Sequence, residues 1–439
     1  MKFEDFGLDE PIMRALLEEG YEKPTLIQEK AIPIIMSGQD LLGCAQTGTG
    51  KTAAFALPII QGLMLNGKVE QSKKIKALIL TPTRELAIQI RDVFRNFEKH
   101  TNLKCSVILG GVNQQSQVEV LKKGVDVLVA TPGRLLDLIN QKHVRLENLK
   151  YLVLDEADTM LDMGFIHDIK RILITIPANR QTLLFSATMP KAIEELSSDF
   201  LKSPKIVKVA PVSSTVDTIK QSLYYVDKSN KLKLLIDLMG KEEVQSALIF
   251  TRTKHGANKL GEALRSKNIS CGVIHGNKSQ SARVLALKQF KEGKLKALIA
   301  TDIAARGIDI QELSHVFNYE MPNQAETYVH RIGRTGRAGF EGHAISFCNI
   351  DEKPIIKEIE ALIKKPIPVI TDHFYPMIDF TLAPKKGEIK GKRNVMFKTK
   401  NNSYDKNSNF KNNMGNRNAK FKQEKKGSFH SSYRSNRGK

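Results

Sequence analysis

Two hydrophobic periodicities alternate along residues 1–380 of this chain. Short β-branched runs predict strands at Asp40 to Cys44, Ala77 to Leu80, Cys105 to Leu109, Val125 to Ala130, Tyr151 to Leu154 and Thr182 to Phe185. Between them lie longer stretches, such as Arg84 to His100, whose apolar residues recur at helical spacing. The rhythm breaks at Ala210-Pro211-Val212-Ser213-Ser214. It resumes with strands predicted at Ala247 to Phe250, Cys271 to Ile274, Ala297 to Ile299, His315 to Tyr319 and Gly342 to Cys348. Strands alternating with crossover helices predict an α/β fold with parallel sheets, in which ligands gather at the carboxyl ends of the strands. The expected plan is a leading segment (1–29), a first domain (30–208), a linker (209–218), a second domain (219–380) and a tail (381–439).

Candidate chemistry sits at the ends of these strands. After the first comes Ala45-Gln46-Thr47-Gly48-Thr49-Gly50-Lys51-Thr52. A glycine-bearing turn between strand and helix points backbone N–H groups at phosphates. Lys51 is then placed for the β/γ-phosphates and Thr52 for Mg²⁺. The generic pattern opens with glycine, and Ala45 stands there instead. Further on, Tyr151-Leu152-Val153-Leu154 runs into Asp155-Glu156-Ala157-Asp158, a strand delivering carboxylates to the metal. Together these halves predict a nucleoside triphosphate engine with Lys51, Asp155 and Glu156 as catalytic candidates, and Thr52 with Asp155 as the Mg²⁺ set, partly through water.

The second half lacks a phosphate loop of its own. It carries Thr301-Asp302-Ile303-Ala304-Ala305-Arg306-Gly307-Ile308-Asp309 and His330-Arg331-Ile332-Gly333-Arg334-Thr335-Gly336-Arg337. Arginines at a spacing of three, separated by glycines, form a fork of planar cations suited to phosphate oxygens. Supplied from the opposite domain, Arg334 and Arg337 would stabilise charge on a transferring phosphoryl group.

Charge distribution adds a partner. The formal net charge is +21, and Pro384 to Lys439 holds 17 Lys or Arg against three acids, so a surplus of 14 lies in the last 56 of 439 residues. That tail is rich in Asn, Ser and Gly and has no aliphatic periodicity, so it is expected to be disordered. Phe397, Tyr404, Phe410, Phe421, Phe429 and Tyr433 are interleaved with its cations. Such a mixture suits phosphate neutralisation with base stacking. The start, MKFEDFGLDE, predicts no secretory signal, and no run of 18 apolar residues predicts a spanning helix. Cys44, Cys105, Cys271 and Cys348 lie far apart, which predicts reduced thiols in the cytoplasm.

In their order, these motifs resemble those of DEAD-box RNA helicases of the bacterial RhlE type, over residues 1–380. The resemblance implies two tandem RecA-like domains that use ATP and Mg²⁺. Gly20-Tyr21-Glu22-Lys23-Pro24-Thr25-Leu26-Ile27-Gln28 is similar to the family's adenine-reading segment. A Gln28 amide, with donor and acceptor, matches the N6 and N7 edge of adenine. Phe3 is the aromatic the resemblance places against the base, and Tyr21, Gly307 and Asp309 join the nucleotide set. Ser186-Ala187-Thr188 resembles the element that couples the two sites, with Asp158, His330 and Arg331. RNA contacts are implied at Arg84, Gly110, Gly111, Thr131 and Arg134 in the first domain, and at Thr253, Gln280, Arg283, Thr301 and Asp302 in the second. These are glycines, hydroxyls and single cations at strand ends, a set that grips sugar and phosphate without reading bases.

The function so implied is an ATP-dependent RNA helicase that locally opens short duplexes or remodels RNA–protein complexes, with hydrolysis releasing the RNA. Alternative readings of the same features are an ATP-gated RNA clamp or annealing chaperone, and a DNA translocase. Ribosome biogenesis, with ribosomal precursors or degradation machinery as partners, is the cellular setting the resemblance implies. No membrane partner is expected.

The tail yields a direct prediction. Deleting Pro384 to Lys439 should leave turnover at saturating RNA intact and raise the RNA concentration needed for half-stimulation of ATPase. Each neutralised phosphate contributes about −0.7 to the slope of log affinity against log salt on single strands. The full-length protein should therefore show the steeper slope in an RNA-binding titration, and equal slopes would remove the tail from RNA.

Overall fold

The computed structural model describes residues 1–45, 48–65, 74–209, 219–305, 313–336 and 342–381. The described residues belong to one compact unit. The expected linker and tail lie outside the described residues, apart from Val209 and Thr381.

Seven parallel strands build the first sheet: β1 (Leu41–Cys44), β2 (Ala77–Leu80), β3 (Cys105–Ile108), β4 (Val127–Ala130), β5 (Tyr151–Leu154), β6 (Gln181–Ser186) and β7 (Lys205–Lys208). Their spatial order is β3-β4-β2-β5-β6-β1-β7. The helices of this lobe are α1 (Glu10–Glu18), α2 (Leu26–Met36), α3 (Lys51–Leu65), α4 (Arg84–Phe97), α5 (Gln114–Lys123), α6 (Pro132–Asn140), α7 (Ala157–Asp162), α8 (Ile166–Leu173) and α9 (Lys191–Phe200). Alternation along the strands divides the core. Leu41, Ile79, Val129, Val153 and Phe185 pack on one face, and Leu42, Leu80, Ala130, Leu154 and Leu184 on the other. A strand buried on both faces must be apolar at every position, which is why these strands are legible as unbroken runs.

The second sheet has six parallel strands: β8 (Ile219–Tyr225), β9 (Ala247–Thr251), β10 (Cys271–Ile274), β11 (Ala297–Thr301), β12 (His315–Asn318) and β13 (Gly342–Cys348), ordered β10-β11-β9-β12-β13-β8. Its helices are α10 (Lys231–Met239), α11 (Lys254–Arg265), α12 (Gln280–Lys291), α13 (Asp302–Ala305), α14 (Ala325–Ile332) and α15 (Lys353–Ile363). This is the α/β architecture of two parallel-sheet RecA-like lobes that the sequence predicts.

Two strands escaped the sequence reading. β7 pairs with β1, and β8 pairs with β13 along seven residues from Ile219↔Gly342 to Cys348↔Tyr225. Both are sheet edges. Their sequences, KIVK and IKQSLYY, mix polar with apolar positions and are only part buried. An edge strand needs no continuous apolar run.

Strand order also fixes what meets at the carboxyl edge of the first sheet. β5, β6 and β1 are neighbours, so Asp155, Ser186 and Ala45 follow adjacent strands although more than a hundred residues separate the first from the last. Gly43 on β1 supports this edge. A Cβ there would lie 2.7 Å from the Phe185 ring, which is itself fully buried and 5.4 Å from the Phe55 ring. Gly43→Ala should destabilise the protein by about 1–3 kcal/mol through overpacking. Urea unfolding checks this, and an unchanged midpoint would mean the ring has room to yield.

Candidate functional site

The phosphate-loop candidates occupy the turn between β1 and α3. Gly48 and Gly50 have φ of +83° and +91°, backbone that favours glycine. A Cβ on Gly50 would in addition meet Gln28 Nε2 at 2.5 Å. Gln46 and Thr47 lie outside the described residues, while Ala45 is buried and Thr49 and Thr52 are half-buried. Lys51 opens α3 with its side chain only 6% exposed, and Nζ has no hydrogen-bond partner. Its charge faces Asp155 Oδ1 at 4.0 Å, too long for a hydrogen bond.

Asp155 follows β5, its backbone N–H donating to the Leu80 carbonyl at 2.9 Å. Glu156 then turns into the left-handed region, at φ +53° and ψ +52°. For a residue with a side chain this costs about 1–2 kcal/mol. The turn aims a 3% exposed carboxylate into the seam, where neither oxygen has a hydrogen-bond partner. Burial raises both carboxyls above their usual range. Lys51 opposes the shift at Asp155, and Arg334 followed by Lys51 opposes it at Glu156. Arg334, which follows α14 in the second lobe, is thus close enough to act on Glu156 through its field. Arg337, Gly307 and Asp309 lie outside the described residues.

A buried ammonium and a buried carboxylate without hydrogen bonds, beside a glycine turn, fit a ligand that brings phosphate oxygens and a cation. The triphosphate supplies acceptors for Lys51, and the hydroxyl of Thr52 and the carboxylate of Asp155 are the hard oxygen donors that Mg²⁺ takes.

The adenine-reading candidates are arranged differently from the expectation. Gln28 is 1% exposed. Its Oε1 accepts from the Thr25 N–H at 2.8 Å, and its Nε2 donates to the Gly50 carbonyl at 3.1 Å. One lone pair and one N–H of the amide remain, and the side chain ties the leading segment to the phosphate loop. Phe3 requires a correction. It is 2% exposed, with edge contacts to Phe6 and Tyr21 at 6.0 and 6.1 Å. A ring so placed offers no face to a base, and belongs to the core because an apolar aromatic gains most by full burial. Tyr21, half-buried, is the aromatic that stays open.

The coupling candidates form a connected network. Asp158 Oδ2 accepts from the Ala187 N–H at 3.1 Å, the Thr188 N–H at 3.0 Å and the Thr188 hydroxyl at 2.9 Å. The Ser186 hydroxyl donates to the Thr188 carbonyl at 2.6 Å, and the Ser186 carbonyl accepts from the Ala45 N–H at 3.0 Å. The phosphate loop and the strand carrying Asp155 are thereby joined. His330 lines a small recess with Asp302 and Arg334.

Arg331 and Asp302 are a second correction. Arg331 is 1% exposed, and its Nε and Nη2 clasp both oxygens of Asp302 at 2.5 and 2.9 Å. Nη1 reaches Asn318 Oδ1 at 3.1 Å and the Glu320 carbonyl at 2.7 Å, and the guanidinium lies 4.9 Å from the Phe250 ring centroid. A cation buried this deeply must be neutralised. The pair therefore braces the second lobe internally, and both Asp302 oxygens are engaged by Arg331 while the side chain stays 27% exposed.

The remaining RNA candidates line the other side of the seam. Arg84 lies against Gly111, where a Cβ would sit 2.2 Å from its Nη1. Burial, then Arg283, then Arg134 lower the guanidinium's pKa, so three cations converge. Arg134 Nη1 donates to the Val112 carbonyl at 3.4 Å. Gly110, Thr131 and Thr301 stand at the carboxyl edges of β3, β4 and β11. Thr253 caps α11, its hydroxyl accepting from the Gly256 N–H at 3.0 Å. Gln280 and Arg283 are engaged across the lobes, donating to the two oxygens of Glu85 at 2.9 and 2.7 Å. Sequence reasoning gave Glu85, 6% exposed beside the RNA candidate Arg84, no role of its own. Its only sign was an acid within Pro82-Thr83-Arg84-Glu85-Leu86.

Residues 25–196 match the DEAD/DEAH box helicase family model, and residues 230–339 match the helicase conserved C-terminal domain. The chain is 44% identical over 365 residues to the ATP-dependent RNA helicase CshA of Listeria monocytogenes, covering 83% of this chain and 69% of that protein. It is 44% identical over 392 residues to the RNA helicase CrhR of a Synechocystis species, covering 89% and 76%. Among solved structures it is similar to S. cerevisiae Dbp5 bound to RNA and ADP BeF3, with a TM-score of 0.75 and 32% identity over 84% of this chain and 95% of that one. It is also similar to the DEAD-box helicase Mss116 bound to ssRNA and UDP-BeF, with a TM-score of 0.77 and 29% identity over 84% and 79%. A split site that sets buried charges of the first lobe beside Arg334 of the second, together with these likenesses, leads to one conclusion: the chain belongs to the DEAD-box family of ATP-dependent RNA helicases.

Proposed function

We propose that the protein is an RNA-stimulated ATPase that opens short RNA duplexes or remodels RNA–protein complexes, and that hydrolysis releases the RNA. The observation that carries this reading is the pair of buried charges that make no hydrogen bond, Lys51 and Glu156, with Arg334 brought near Glu156 from the second lobe. Lys51 binds the β/γ-phosphates. Thr52 and Asp155 hold Mg²⁺, partly through water, and the metal supplies charge neutralisation on the phosphates when bound. Glu156 orients the attacking water and takes its proton, a role served by a carboxylate whose basicity burial raises. Arg334 and Arg337 stabilise charge on the transferring group. Tyr21 and the free half of the Gln28 amide read adenine, with Phe3 supporting Tyr21 from below.

RNA and ATP both favour closure of the same seam. ATP does so through Arg334, and RNA through the convergence of Arg84, Arg134 and Arg283, so each must raise the other's affinity. Asp158 and the Ser186-to-Thr188 element lie between the two sites and transmit the preference.

The finer assignment to the RhlE type rests on the motif-bearing core, and ribosome biogenesis on that resemblance. A cytoplasmic setting is supported by the four free cysteines.

Glu156→Gln should keep ATP and RNA binding and lower turnover by about 10²–10⁴-fold, as read by RNA-stimulated ATPase beside a fluorescent-nucleotide titration. Near-normal turnover would remove the carboxylate from catalysis. Lys51→Ala should lose ATP binding altogether. Arg334→Ala should lower kcat by about 10³-fold with little change in ATP affinity, and an equal loss in both would assign it to binding. Wild-type protein should hardly use GTP, and Gln28→Ala should narrow that preference. Equal rates with both nucleotides in the wild type would refute adenine reading.

A further inference from the structure

A cleft of about 270 Å³ opens in the second lobe, away from the phosphate loop, where α10 and α11 meet the carboxyl ends of β9, β12 and β13. Its charged lining comprises four cations, Lys228, Lys231, Arg252 and Lys259, against two carboxylates, Glu320 and Glu352. Both carboxylates are engaged within the wall. Glu352 Oε2 accepts from Lys231 Nζ at 2.5 Å and from the Asn349 N–H at 3.2 Å. Its Oε1 accepts from the Met321 N–H at 3.1 Å and faces Arg252 Nη2 at 3.3 Å. Glu320 Oε2 accepts from the Arg252 N–H at 2.7 Å. Lys231, 2% exposed, spends its other donors on the carbonyls of Tyr319 and Phe347. Four cations against two carboxylates leave the lining a formal surplus of two positive charges. It belongs to Lys228 and Lys259, both exposed and neither ion-paired with a described residue.

Two further groups face the same space. Tyr319 contributes a half-buried aromatic wall. Asn349, 6% exposed, closes the base of the cleft with its side chain turned to the backbone of Glu352. Cations at the mouth and a ring on the wall match the phosphate and face of one nucleotide. The cleft also adjoins the RNA path of the proposed function, because Arg252 in its wall precedes Thr253 at the cap of α11.

We propose that this cleft receives a nucleotide of the RNA strand flanking the core groove, with Lys228 and Lys259 on its phosphates and Tyr319 against its base. The proposal rests on the RNA-binding reading above. The same chemistry would admit a free nucleoside monophosphate, so the test separates the two sources.

The test uses the full-length protein, wild type and a Lys228→Ala/Lys259→Ala double variant, both carrying the tail so that its contribution cancels. Anisotropy titrations with a non-hydrolysable ATP analogue compare an RNA just long enough to saturate ATPase stimulation with one several nucleotides longer. Wild-type protein should bind the longer RNA several-fold more tightly. The variant should lose that gain, and its salt slope on the longer RNA should fall by about 1.4, or about 0.7 per lysine. Stimulation by the short RNA and the melting temperature should not change, since both lysines are exposed and outside the ATPase site.

A length gain and salt slope retained in the variant would overturn the proposal. So would loss of stimulation by the short RNA, which would place the lysines in the core groove. Binding of adenosine monophosphate that the variant abolishes, with no change in RNA affinity, would reassign the cleft to a free nucleotide and overturn the RNA assignment. Absence of RNA-stimulated ATPase in the wild type would instead refute the helicase reading.

Discussion

Charge buried without hydrogen bonds is the constraint on which this molecule depends. Lys51 and Glu156 are each nearly inaccessible to solvent and neither makes a hydrogen bond, an arrangement that costs several kcal/mol per ion in an otherwise relaxed protein. The surrounding fold holds them there. The apolar central strands bury both faces of the first sheet, the neighbouring positions of β5, β6 and β1 bring the charges to one edge, and Glu156 is held there in a left-handed backbone conformation. Local stability is given up at the point where nucleotide and metal restore it. This is the usual bargain of an active site.

The second lobe solves the same electrostatic problem in the opposite way. Arg331 is as deeply buried as Lys51, yet its guanidinium donates to Asp302, Asn318 and a backbone carbonyl. Lys231 is likewise saturated by Glu352 and two carbonyls. These satisfied ions make a stiff frame for Arg334, three residues after Arg331. The contrast is between Arg331, whose donors are spent inside its own lobe, and Lys51 and Glu156, which make no hydrogen bond.

Between the lobes, Glu85 is the physical link from the RNA side. Its two oxygens take one donor each from Gln280 and Arg283, within the cluster where Arg84, Arg134 and Arg283 repel one another. An acid there offsets part of that repulsion while leaving a net positive surface for a phosphate chain. Closure of the seam and binding of a polyanion are thus coupled through Coulomb energy.

Much of this was legible in the sequence, for a specific reason. Parallel strands buried on both faces are uninterrupted apolar runs, and the phosphate turn needs glycine where φ is positive, so β1 to β6 and the loop at Gly48 to Thr52 declare themselves in one dimension. The edge strands β7 and β8 do not, because half-exposed strands carry mixed letters. Motif identity also marked Lys51, Asp155, Glu156 and Arg334 as a set. What the letters could not supply was partnership. That Phe3 lies under Tyr21, that Arg331 is consumed by Asp302, that Glu85 reaches across the seam and that Asn349 faces a cleft all depend on which strands become neighbours. Composition and period determine whether a residue is buried and in what kind of element. Only the tertiary structure decides what it is buried against, because hydrogen bonds and ion pairs act over a few ångströms between residues that the chain places a hundred or more positions apart.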